Sequence, residues 1–206
     1  MWCSTIQRSQ GLVQLRDLAF ATAERGHYND GLKLLQLSRI SLDSVPSTPR
    51  TQELTSWLAA DSADVLARMD QAAAARSELA AARDSWRAPD ADDQADMAWV
   101  TALTELTLGR LDMAERLVAA SVRHWEGTAD RRQATLGCIT LAVIHVRAGE
   151  PRAHELARRA IATVTELRSV RARDRLESLA VELEARRGVA AWRLAGLARR
   201  VMADSA

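Results

Sequence analysis

Apolar residues recur along this chain at three- and four-residue intervals. Leu111, Ala114, Leu117, Val118, Ser121, Val122 and Trp125 fall on one face of a helix. Leu156, Ala157, Ala160, Ile161, Val164 and Leu167 form a second such face, and Leu176, Leu179, Ala180 and Leu183 a third. No comparable segment alternates with period two, so no strand is expected. Gly26, Asp70, Gly109 and Gly149 each stand between two helical segments, where a residue in the left-handed region ends a helix. Ser47 and Thr48 before Pro49 read as a cap followed by proline in the first turn, and Pro151 opens the helix after Gly149 in the same way. The pattern predicts helices over 11–25, 28–43, 50–68, 71–86, 93–108, 111–126, 131–148, 151–167, 169–186 and 188–203, with residues 1–10 as a frayed tail.

These helices pair. A small residue stands early in each second helix, at Gly31, Ala75, Ala114 and Ala153, spaced 44, 39 and 39 residues apart. It lets two helix backbones approach closely. Another small residue lies in each first helix, at Ala19, Ala63, Ala102 and Leu141 or Ala142. Leu35, Leu79, Val118 and Ala157 follow the marker by four residues, and Ser38, Ala82, Ser121 and Ala160 by seven. Together with the turn glycines this is the grammar of tetratricopeptide (TPR) repeats, clearest in LGRLDMAERLVAASV, 108–122. The spacing exceeds the ~34-residue standard, and the closing proline is absent. The expected fold is an all-α, TPR-like solenoid of about five hairpins with a concave face. It forms one domain over 11–206, with repeats at 11–43, 50–86, 93–126 and 131–167 and capping helices over 169–203. The last helix caps the open end or mediates dimerisation.

Composition narrows the function. The 206 residues carry a net charge of +1 and 27% charged residues, a soluble globular balance that argues against a nucleic-acid or membrane coat. Alanine and leucine abound, while Gly and Pro are scarce, as in helical chains. Lys33 is the only lysine, a bias that suits a GC-rich genome better than a binding role. No stretch reaches the ~20 apolar residues of a membrane span, and the first residues lack an apolar signal core, so a cytoplasmic protein is expected. Cys138 reads as a small core residue.

Catalytic and cofactor motifs fail in turn. HELAR at His154 lacks the second histidine of a zinc protease, since Arg158 occupies its place. No nucleophile elbow, P-loop or dinucleotide fingerprint occurs. His27, His124, His145 and His154 are scattered, with His145 read as a core histidine. The acidic run 87–96 lacks the spacing of a calcium loop and reads as a solvated loop feeding helix caps. Glu182 and Glu184 are expected to be solvated. No enzyme, metal or cofactor is expected. The part from Glu150 onward holds twelve arginines against eight acids, with Arg168, Arg171, Arg173 and Arg175 crowded together. Arg131, Arg132, Arg168, Arg171 and Arg175 are the candidate partner-binding residues. Without aromatic interleaving, direct nucleic-acid binding is not expected. Trp57, Trp99 and Trp125 are expected in the core, and Trp86 and Trp192 near helix ends.

The segment 131–186, RRQATLGCITLAVIHVRAGEPRAHELARRAIATVTELRSVRARDRLESLAVELEAR, resembles the C-terminal TPR-like domain of actinobacterial helix-turn-helix regulators of the phage-repressor type. The resemblance rests on the arginine pair, the RAGEP turn, L-x-S-V-R and the following R-L-x-x-L. The earlier LGR…AE and STPR…ADVLARMDQAAAARSELAAA units are similar to preceding repeats of that family. The resemblance implies the sensory or interaction half of a regulator. It implies a protein or peptide partner, with a DNA-binding regulator acting in trans as one such partner. No counterpart of the DNA-reading domain that precedes the repeats in that family is expected before Gly11. The carboxylate clamp of chaperone-type TPRs needs lysines and asparagines, whereas this chain has Lys33 and Asn29 alone. The alternatives are a small-molecule sensor, with an apolar pocket closed by the last helix, and a homo-oligomerisation scaffold.

Overall fold

The computed structural model describes the backbone of residues 2–86, 90–167 and 169–204, and side chains from residue 11 onward. Among the described residues the regular structure is ten α-helices with no strand: α1 (Trp2–Glu24), α2 (Tyr28–Asp43), α3 (Pro49–Arg68), α4 (Ala72–Ser85), α5 (Ala91–Thr107), α6 (Leu111–Gly127), α7 (Arg131–Ala148), α8 (Ala153–Leu167), α9 (Val170–Glu184) and α10 (Val189–Ala203). None is long and apolar enough to cross a membrane. Most boundaries fall within two residues of the pattern. The first helix starts nine residues before Gly11, at Trp2, in a stretch that holds no proline to stop it. The acidic run behaves as a cap rather than a long loop. Asp90 accepts from the Asp93 N–H at 2.9 Å, and residues 91–96 are already helical. Residues 87–89 of that run lie outside the described residues.

Local signals set the helix ends. The Thr48 hydroxyl accepts from the Thr51 N–H at 3.2 Å and the Thr51 hydroxyl accepts from the Thr48 N–H at 2.7 Å, with Pro49 in the first turn. Asp130 caps α7 by accepting from the Arg132 and Gln133 N–H groups at 3.1 and 3.0 Å. The α3–α4 turn has Asp70 in the left-handed region at φ 59°, as expected for the residue standing in for glycine. Ala129, between α6 and α7, adopts the same φ of 59° with no polar side chain to support it.

The chain divides into two compact units, 1–108 and 109–206. In the first, α1 pairs with α2 and α3 with α4, while α3 also packs on α1, α2 and α5. In the second, α7 pairs with α8 and α9 with α10, while α7 also packs on α6 and α9. Within the first unit the first helices α1, α3 and α5 thus lie one against the next, and within the second α7 lies against α9, while α3, α7 and α9 each also touch the second helix before them.

That arrangement explains two kinds of helix. Every residue from Ser56 to Ala67 in α3 is buried, polar ones included. Ser62 Oγ donates to the Leu58 carbonyl at 2.7 Å, and Ser56 Oγ lies 2.8 Å from Ser85 Oγ of α4, so these hydroxyls are satisfied inside. In α7, Ala142 to Val146 are all buried. The second helices bury one stripe instead: Gly31, Leu35, Ser38 and Leu42 in α2, and Ala75, Leu79 and Ala82 in α4. All four markers, and the positions four and seven residues after each, are buried. In the last first-helix Ala142, not Leu141, is the buried small residue. A Cβ on Gly31 would stand 3.0 Å from the Ala19 carbonyl oxygen and 3.1 Å from Ala23 Cβ, which is the close approach the small marker serves.

Candidate functional site

In the unit 109–206 a groove of about 170 Å³ opens between α6, α7 and α8. Val122, Leu141, Leu156 and Ala160 form its apolar part, and Cys138 and Thr163 also line it. Glu126 and Arg159 complete the lining with opposite charges. The 3.6-residue period places Val122 and Glu126 one turn apart on α6, and Leu156, Ala160 and Thr163 on one side of α8. Cys138 is therefore only partly buried and belongs to a wall, which corrects its reading as a core residue. Its sequence signal is that of any small residue in an apolar run. Burial pushes its thiol pKa up, and the carboxylate of Glu126 adds to the effect.

A larger cavity in the same unit, about 380 Å³, is lined by Val164 and Thr165 of α8, Arg173 of α9, and Val201 and Asp204 at the end of α10. It lies where the last helix packs on α8 and α9.

The unit 1–108 holds a denser set of charges on α3. Asp61 is 4% and Asp64 5% exposed. Asp61 Oδ2 accepts from Arg16 Nε at 2.5 Å, and Arg16 stacks on Trp57, with its guanidinium carbon 4.5 Å from the ring centroid. Trp86 meets Trp57 edge to face at a centroid separation of 5.4 Å. Asp64 pairs with Arg68 at 2.9 Å. Burial pushes the Asp61 carboxyl pKa up, and Arg16 holds it back. This cluster is closed on itself: Arg16 occupies the place that a ligand cation would take.

Of the sequence-selected arginines, Arg131 and Arg132 open α7, and Arg171 and Arg175 lie one turn apart on α9. Arg131 is exposed and pairs with Glu166 at 3.2 Å, bridging α7 to α8. Arg132 and Arg171 are exposed, Arg175 is half-buried, and Arg168 lies outside the described residues. Of the two glutamates expected to be solvated, Glu184 is exposed and Glu182 half-buried, and both are in ion pairs. Glu182 accepts from Arg147 Nε at 2.6 Å, and Glu184 accepts two bonds from Arg199 at 3.0 and 3.1 Å. Arg199 also reaches Glu177, so one arginine ties α10 to two turns of α9.

The tryptophans divide as expected. Trp57, Trp99 and Trp125 are buried, while Trp192 is 73% and Val189 70% exposed. One helical turn apart on α10, these two share a face. His145 is 4% exposed, as expected for a core histidine, with Nε2 3.4 Å from Glu115 and Nδ1 3.2 Å from Glu150. His154 is exposed, and no group of three or more potential metal ligands occurs among the described residues. No family model, curated protein or solved structure matches the chain.

Proposed function

We propose that the chain is a TPR-like helical-repeat module, non-catalytic and cytoplasmic, that binds a protein or peptide and serves transcriptional regulation. A DNA-binding regulator acting in trans is the expected kind of partner. Support for the fold comes from the buried marker positions and from first helices packed on first helices. Support for binding comes from one observation above all: α10 leaves Trp192 and Val189 in solvent on one face. A large exposed aromatic beside an aliphatic side chain is the composition of an interface anchor. The test is affinity purification of tagged protein from its own host, with Trp192→Ala beside it. Partners recovered with the wild type and lost with the folded variant support the reading. Identical recoveries, or none, count against it. Size-exclusion chromatography of the same pair reads out self-association, the scaffold alternative.

A second reading, small-molecule sensing, draws on the 380 Å³ cavity and the smaller groove in the unit 109–206. The larger volume lies within the ~300–1,000 Å³ usual for small-ligand sites, and the last helix supplies part of its wall. A ligand held there raises the melting temperature by mass action. A panel of host metabolites without any shift would remove this reading.

A further inference from the structure

We propose that the α6–α7–α8 groove binds a free aliphatic α-amino acid, an inference that rests on the small-molecule reading. Glu126 and Arg159 carry the argument. The unit 109–206 contains eight glutamates. Seven of them, Glu115, Glu150, Glu155, Glu166, Glu177, Glu182 and Glu184, lie within 3.4 Å of an arginine or histidine nitrogen. Glu126 is the exception. Its carboxylate makes no ion pair or hydrogen bond among the described residues, and neither does the guanidinium of Arg159. In a unit that pairs its other glutamates, an anion and a cation stand unneutralised on one small apolar groove.

Size and chemistry restrict the occupant. At about 170 Å³ the groove is below the ~300–1,000 Å³ of drug-sized sites, so it takes one compact ligand. The ligand presents an ammonium to Glu126, a carboxylate to the Arg159 fork, and a short apolar chain to Val122, Leu141, Leu156 and Ala160. A zwitterionic amino acid with an aliphatic side chain has these three parts. A peptide-linked residue lacks at least one of the two charges. Recognition therefore favours the free amino acid over its N-acetyl and amide derivatives.

Cys138 in the groove wall is a built-in reporter. Its raised thiol pKa makes it slow to react, and an occupant slows it further. The experiment uses the full chain with Cys3→Ser, leaving Cys138 as the only thiol. The rate of its reaction with an aromatic disulfide is followed against rising L-leucine, N-acetyl-L-leucine or L-leucinamide. The expected result is saturable protection by leucine, slowing the reaction by about tenfold at saturation, with weak or no protection by the two derivatives. Glu126→Gln and Arg159→Gln, both at exposed positions, are expected to fold and to lose the leucine effect. No saturable protection by leucine up to about 10 mM overturns the proposal. So does equal protection by all three compounds, or protection that survives in both glutamine variants. Failure here leaves the wider small-molecule reading to the melting-temperature panel, which samples the 380 Å³ cavity as well.

Discussion

Ala129 holds a left-handed backbone at φ 59° in the α6–α7 turn. A side chain there crowds its own carbonyl, at a cost of roughly 1–2 kcal/mol for residues other than glycine. Part of that returns when glycine's extra freedom in the unfolded chain is counted. Ala129→Gly is expected to stabilise the protein by about 0.5–1 kcal/mol, read as a rise in urea midpoint. Gly137 in α7 carries the opposite lesson. A Cβ there would press far inside contact distance of Val122 Cγ2 and stand 3.1 Å from the Trp125 ring. Gly137→Ala is expected to cost about 1–3 kcal/mol despite alanine's better helix propensity. Equilibrium unfolding measures both. Asp61 gives a pH signature. Its folded pKa lies above the ordinary 3.8, chiefly through burial, so the folded state binds this proton more tightly than the unfolded state does. The resulting stabilisation is fully present below 3.8 and is lost as pH rises through the raised value. Wild-type stability relative to Asp61→Asn should therefore decline as pH rises above 3.8. A rise across that window would mean that pairing with Arg16 outweighs burial.

At the scale of helices, spacing and caps made most of the architecture legible in advance. Gly26, Asp70, Gly109 and Gly149 are all left-handed turn residues, and Thr48–Pro49 starts α3 where the pattern places it. The marker alanines are legible because close helix approach admits few side chains. Side-chain pairing is not legible in this way. Arg147 meets Glu182 across 35 residues and Arg39 meets Glu78 across 39, so such partners follow from packing and not from local sequence. That is why Glu126 and Arg159, unpaired on one groove, are not distinguished by the sequence. The stripes also rank substitutions. Leu35→Ala and Leu79→Ala, both in buried stripes, should each cost about 2–5 kcal/mol. Leu37→Ala, on the exposed side of α2, should stay within about 0.5 kcal/mol. Thermal melts of the three variants check the ranking.

At the scale of the whole chain, two compact units meet in sequence at Gly109. Each has its own buried residues: Leu35, Leu58 and Leu79 in one, and Ile139, Ile161, Leu176 and Leu179 in the other. A fragment of residues 109–206 is therefore expected to give a helical circular-dichroism spectrum and a cooperative melt. A featureless melt would show that its core is insufficient by itself.

The all-round burial of α3 and of much of α7 has a consequence for solvent exchange. An amide in an outer helix exchanges when its own turn frays, but one in α3 is enclosed by four neighbouring helices that must part first. In deuterated water the amides of α3 and the buried stretch of α7 should outlast those of α4 and α10. The slowest of them would report the opening free energy of each unit separately, within a single intact molecule.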